Sequence, residues 1–295
     1  MERIDFETFL GLTGNGDLLA ALDGMDGIGP LPTHVAMRLA HLVRIHMAIG
    51  SVPAVVHRWV DTHDFAQVDR ALDEHIGHMI LSSAHDLHLE ETRCAGLWRN
   101  LPRQMARENA RFRQGRPREE TAGIFLEPLL LHLVESSHVH RIRRLDRPDE
   151  PAQSYEYQSQ YKYYFADTGV FRRLAGLAAA TVDEEKPDLS RFRGILTESY
   201  VLQHLRRFSP ESIWYWKSGN QAEVDFIIRL GQQLIPVEVK TARNVKSRSL
   251  ALYRRSYHPP IALRYSLLNL KLDDDLLNIP LYMIRRTGKL VSSLS

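Results

Sequence analysis

The chain has 295 residues, 44% hydrophobic and 25% charged, a globular balance that excludes a fibrous or disordered protein. Its 38 basic and 36 acidic residues nearly cancel to a formal +2, so any attraction to nucleic acid must come from local patches. A single cysteine, Cys94, excludes an internal disulfide and a four-cysteine zinc cage.

The start, Met1-Glu2-Arg3-Ile4-Asp5, lacks the apolar core of a signal peptide, and no uncharged apolar run reaches the length of about 18 residues needed for a span. A cytoplasmic location with no membrane partner is therefore expected. The N-terminal third reads as helices. An amphipathic turn begins at Asp5–Leu10, and apolar residues Val35, Leu39, Leu42 and Val43 place a helix over Leu31–Val43. Val52-Pro53 marks a break, and Val68, Leu72, Ile76, Met79 and Ile80 form one stripe of a helix over Phe65–Ser83.

Residues 92–147 have the outline of a DNA-binding unit. Helices are expected over Ala95–Met105 and Glu119–Ser136, joined by an arginine-rich loop. An extended piece, Val139–Arg143, turns near Pro148 and Pro151, and a strand returns near Lys162–Phe165. Two helices followed by a β-hairpin resemble a winged helix.

The C-terminal part changes character. A helix over Ser190–Phe208 precedes strands at Ile213–Trp216, Glu223–Ile228 and Leu234–Lys240. A helix over Leu250–Tyr257 and strands at Ile261–Ser266 and Ile279–Ile284 complete an α/β sandwich.

The chemistry concentrates in Glu198, Asp225, Glu238 and Lys240. Strict alternation puts Val224, Phe226 and Ile228 on one face of their strand and Glu223, Asp225 and Ile227 on the other. In the next strand Pro236, Glu238 and Lys240 share a face. A short turn joins the two strands, and pairing them apolar face to apolar face brings Asp225 near Glu238 and Lys240. Two neighbouring carboxylates repel unless a cation intervenes. An ammonium offsets part of that repulsion, and a hard divalent ion offsets more. Such a set suits metal-assisted phosphodiester hydrolysis. Glu198 stands in the apolar stripe of its helix, with Ile195, Leu202 and Leu205 at offsets −3, +4 and +7, so its carboxylate needs a partner. The competing reading is a solvated hairpin face, which leaves Glu198 unexplained.

These residues resemble a known motif. Leu196-Thr197-Glu198-Ser199-Tyr200-Val201, Ala222-Glu223-Val224-Asp225-Phe226 and Ile235-Pro236-Val237-Glu238-Val239-Lys240 look like the PD-(D/E)XK nuclease-like pattern. More specifically, they resemble the domain of unknown function that follows the ATP-binding core in a large group of prokaryotic AAA-type P-loop ATPases. Tyr163–Val170, Trp214–Ser218 and Leu276–Tyr282 support the likeness, which is strong over residues 155–284 and fainter back to Asp5–Leu10. The resemblance implies a restriction-endonuclease-like fold. It also implies Glu198, Asp225 and Glu238 as metal ligands for Mg2+ or Mn2+, Lys240 as the water-assisting lysine, and DNA as partner. The family's phosphate loop, G-x-x-x-x-G-K-[ST], has no match here, because Gly11-Leu12-Thr13-Gly14-Asn15-Gly16 is followed by Asp17. The chain is expected to be the family without its motor, unable to hydrolyse ATP by itself, with a separate or missing ATPase domain as a candidate partner.

Three parts follow: a helical segment over 1–91, a winged-helix-like unit over 92–154 and a PD-(D/E)XK-like domain over 155–295. Arg107, Arg111, Arg113 and Arg116 in the loop, and Lys246 and Arg248 just after the acidic site, are candidate phosphate contacts. Arg141, Arg143, Arg144 and Arg147 at the wing join them. His75, His78, His85 and His88 read as solvated or capping residues, Cys94 as a packed side chain, and Trp214 and Trp216 as sheet packing. The leading expectation is a DNA-directed, metal-dependent nuclease-like module. The alternative is a non-catalytic DNA-binding or regulatory module that partners an ATPase.

Overall fold

The computed structural model describes residues 3–105, 123–179, 190–210, 212–218, 222–241 and 247–294. In chain order the first helices are α1 (Phe6–Leu12), α2 (Gly16–Asp23), α3 (Thr33–Ile49), α4 (Pro53–Thr62), α5 (Phe65–Asp86), α6 (Glu91–Met105) and α7 (Gly123–Glu135). Strands β1 (Val139–Leu145) and β2 (Glu156–Phe165) precede helices α8 (Thr168–Leu174) and α9 (Ser190–Phe208). Then come β3 (Ile213–Ser218), β4 (Ala222–Leu230), β5 (Gln233–Val239), α10 (Arg248–Tyr257), β6 (Ala262–Ser266), β7 (Lys271–Asp273), β8 (Leu276–Pro280) and α11 (Thr287–Ser292). The chain is mixed α/β and divides into two units that interleave along the sequence.

The first unit comprises Met1–Asp5, Ile45–Arg141 and Tyr161–Ser199. Its centre is α5, whose residues Val68, Leu72, Ile76 and Met79 are buried as one stripe. The helix starts where the Asp64 carboxylate accepts the Ala66 N–H at 2.8 Å, satisfying one of the amides a helix start leaves open. Pro53 opens α4 at a position where no N–H is required. Helices α4, α6 and α8 pack on α5, and Cys94 is buried in α6, where desolvation raises its thiol pKa.

Two buried polar centres hold this unit. The Asp167 carboxylate accepts the backbone N–H and hydroxyl of Ser51, at 2.8 and 2.7 Å, and the Val170 N–H at 3.0 Å. Both flanking glycines are required. A Cβ on Gly50, which has φ +82°, would lie 2.3 Å from Asp167 Oδ1, and one on Gly169 would lie 2.2 Å from the Ile49 carbonyl oxygen. Arg172 is fully buried; it donates to Ala48 O at 2.6 Å and Leu177 O at 2.8 Å and pairs with Asp69. Every arm of the guanidinium is thus met, as an interior charge requires.

The second unit comprises Phe6–Arg44, Ile142–Gln160 and Tyr200–Ser295. An eight-stranded sheet runs in the order β2-β1-β3-β4-β5-β6-β8-β7. Pairs β3/β4, β4/β5 and β7/β8 are antiparallel, whereas β1/β3, β5/β6 and β6/β8 are parallel. The parallel pair β5/β6 is joined through α10, which buries Leu250 and Tyr253 in a core with Trp214, Trp216, Val224, Ile227 and Ala262.

Four details differ from expectation. The segment Ile279–Ile284 is not one strand. It is the end of β8 followed by a 3-10 turn over Leu281–Arg286, because Pro280 has no N–H with which to continue a ladder. A continuous buried run gives no period to separate strand from helix. The short strand β7 is exposed throughout and too brief to show alternation. The hairpin strand β1 pairs in parallel with β3, so Val139–Arg143 is part of a larger sheet and not a free wing. Finally, β4 does not alternate strictly, and this difference shapes the candidate site.

Candidate functional site

Strands β3 and β4 pair Trp214 with Ile227 and Trp216 with Val224, so Asp225 and Phe226 together face the single residue Tyr215. This is a β-bulge, which inserts one extra residue and re-aims local side chains. Alternation therefore slips by one residue, and Val224 and Ile227 enter the same core cluster despite their odd spacing. On the other side of β4, Phe226 pairs with Val237, which puts Asp225 at the level of Glu238. The Asp225 carboxylate accepts the backbone N–H of Val239 at 2.7 Å, touching the peptide that joins Glu238 to Val239.

Glu238 is 5% exposed, an interior carboxylate rather than part of a solvated face. Its Oε1 is paired with the Lys240 ammonium at 2.6 Å. Its Oε2 is buried with no hydrogen-bond partner among the described residues. Such an oxygen costs on the order of 1–3 kcal/mol unless something meets it. Lys240 lies just past β5, where its own N–H donates to Tyr265 O at 2.8 Å. Asp225, Glu238 and Lys240 thus gather where the hairpin reading put them.

Arg264 belongs to this group and was missed in the sequence reading. It is the register partner of Glu238 on β6 and of Asn278 on β8. Its Nε donates to Asn278 Oδ1 at 2.9 Å, and the buried Asn278 is itself fixed by Ser266 and by the carbonyls of Leu268 and Asn269. Burial lowers the Arg264 pKa, while Asp273 and Glu238 act in the opposite direction. One clue was readable: an arginine interrupts the apolar run Ile261-Ala262-Leu263-Arg264-Tyr265.

Glu198 belongs to the first unit, where it is half-buried in α9 and accepts the Tyr164 hydroxyl at 2.7 Å. Among the described residues no group of three or more His, Cys, Asp or Glu side chains is arranged to hold a metal ion.

Of the candidate phosphate contacts, Arg107, Arg111, Arg113, Arg116 and Lys246 lie outside the described residues. Arg248 opens α10 and, with Arg254, Arg255, His258, Ala251 and Asp275, lines a cavity of about 580 Å³. Arg254 is paired with Asp275. The arginines expected at a wing are engaged within the protein. Arg143 pairs with Glu156 at 2.5 Å, Arg144 donates to Gln160 and Lys217 O, and Arg147 pairs with Asp149. Arg141, Arg144 and Arg147 also lie over the rings of Tyr161, Tyr157 and Tyr155.

Residues 193–282 match the family described as Domain of unknown function (DUF4143). That range contains Glu198, the bulge, Glu238, Lys240 and Arg264. The chain is also similar to uncharacterized protein Rv2008c of Mycobacterium tuberculosis and uncharacterized protein Mb2031c of Mycobacterium bovis. Each is 32% identical over 91 residues, covering 30% of this chain and 20% of the relative. The matched stretch is thus one fifth of each curated relative's length. Among solved structures, the protein VC1899 of Vibrio cholerae aligns over 100% of this chain and 62% of its own, at 13% identity and a TM-score of 0.25.

Proposed function

We propose that this chain is a DNA-directed, metal-dependent nuclease-like module of the PD-(D/E)XK type, working beside an AAA-type ATPase whose P-loop it does not carry. The observation that carries the reading is the convergence of Asp225, Glu238 and Lys240 with a buried, unmatched Glu238 oxygen. Two carboxylates suit Mg2+ or Mn2+, which take oxygen ligands, and Mg2+ commonly keeps waters and substrate phosphate in its remaining positions. Asp225 and Glu238 would hold the ion, and it would polarise a phosphoryl oxygen and acidify a bound water. Lys240, anchored by Glu238, places an ammonium beside those carboxylates to steady that water or the phosphate. The reading rests on these three residues; Glu198, the fourth residue of the pattern, accepts the Tyr164 hydroxyl at Oε2. The α10 cavity with Arg248 supplies phosphate affinity.

The test is cleavage of plasmid DNA with Mg2+ or Mn2+, comparing wild type with Asp225→Ala and Lys240→Ala. Metal-dependent nicking that both changes abolish supports the reading. Nicking that survives both changes, or none from the wild type at any metal concentration, sinks it. A regulatory, non-catalytic DNA-binding module is the second reading. It is favoured by the lack, among the described residues, of a three-ligand metal group.

A further inference from the structure

The charges around Asp225 and Glu238 have a consequence for how a metal would bind. Two carboxylates are accompanied by two protein cations, Lys240 just past the same strand and Arg264 on the next; Asp273, which also acts on Arg264, is itself paired with Lys271 at 2.5 Å and leaves the balance unchanged. The site is close to neutral before any ion arrives. An approaching divalent ion is attracted by two acids and repelled by two fixed bases, and inside a protein such terms are weakly screened. Arg264 cannot simply swing aside, because its Nε is tied to Asn278, which is buried and fully hydrogen-bonded.

Resting on the metal-site reading above, we propose that Arg264 is a positioning residue that keeps this site from holding a divalent ion alone and makes ion binding depend on a phosphodiester arriving with it. A phosphate group brings negative charge and oxygen ligands, converting the neutral site into one that favours the ion. By linkage the effect is reciprocal: the ion tightens phosphodiester binding by the same factor. Metal and nucleic acid then load together, which prevents a charged site from idling with metal.

The experiment measures Mn2+ binding by calorimetry and by electron paramagnetic resonance, with no catalytic readout. Wild type, Arg264→Gln, Arg264→Lys and Asp225→Asn are compared, each alone and with a short phosphorothioate oligonucleotide. Gln keeps an N–H for Asn278 but removes the charge; Lys keeps the charge. The expected result is weak Mn2+ binding to wild type alone, tightened on the order of tenfold by the oligonucleotide or by Arg264→Gln, and unchanged by Arg264→Lys. Asp225→Asn binds Mn2+ in neither condition. Equal Mn2+ affinity in wild type and Arg264→Gln overturns the proposal while leaving the metal site standing. Equal tightening by Lys and Gln also overturns it, by assigning the effect to packing. Wild-type Mn2+ binding that survives Asp225→Asn, or no binding with oligonucleotide in wild type and Arg264→Gln alike, removes both the proposal and the metal site beneath it. Circular dichroism confirms that each variant is folded.

Discussion

The Asp225 carboxylate accepts the Val239 backbone N–H at 2.7 Å, so a side chain stands in the ladder where a carbonyl would ordinarily be. The bulge in β4 makes this possible by leaving Asp225 out of step with its neighbours. The residue therefore has two roles that mutation can separate.

Asp225→Asn retains an oxygen that can accept the Val239 N–H, whereas Asp225→Ala leaves that N–H unmet. Alanine is expected to lower stability by about 1–3 kcal/mol and asparagine by clearly less. Urea unfolding midpoints decide the matter. Equal losses for both variants would show that the hydrogen bond contributes nothing.

Lys240 is the partner of a buried carboxylate. Lys240→Met strands the Glu238 charge and is expected to destabilise by about 2–3 kcal/mol, below the usual range for a wholly buried pair because Lys240 is 25% exposed. Adding Glu238→Gln to it removes the stranded charge and is expected to restore most of the loss. A double variant no better than the single one would mean that the pair is not coupled.

The Asp167 centre explains a stretch that first stood out only by likeness, Asp167-Thr168-Gly169. Gly169→Ala drives a Cβ against the Ile49 carbonyl, a backbone atom that no side-chain rotation relieves. The expected cost is about 3 kcal/mol or more, read from thermal unfolding. Gly176→Ala has open space but φ +69°, and should cost less, about 1 kcal/mol, from strain alone. A larger loss at Gly176 than at Gly169 would refute the steric account.

His75 and His138 are partly buried, and desolvation holds both below the ordinary imidazole pKa; Arg3 acts in the same direction on both, while Asp167 opposes the shift at His75. The unfolded chain, with pKa near 6.5, takes up protons first as pH falls. Stability contributed by the neutral rings is therefore present above about pH 6.5 and is lost below it. Unfolding midpoints should fall between pH 7.5 and 5.5, and His138→Gln should reduce that fall. An unchanged slope in the variant would assign the pH dependence elsewhere, for example to carboxylates.

What could be read without coordinates was whatever depends on near neighbours. The α5 stripe and the helix over Ser190–Phe208 were legible from helical spacing of apolar residues, and the Leu234–Lys240 strand from the alternation of Ile235, Val237 and Val239 with Pro236, Glu238 and Lys240, although β5 is buried at consecutive positions. The closeness of Asp225, Glu238 and Lys240 was legible too, since one short turn sets the register of β4 against β5. Tertiary structure alone decided the rest. The bulge answers to pairing with β3, and Arg264 stands beside Glu238 only because β5 and β6 run parallel through the α10 crossover. Glu238 is an interior carboxylate on a strand that lies between β4 and β6, a position no local pattern announces. Glu198 is half-buried in α9, and its hydrogen bond to Tyr164 joins residues that lie far apart in the sequence. Each of these depends on contacts between residues distant in sequence, and a local pattern carries no record of which distant strand or helix will arrive.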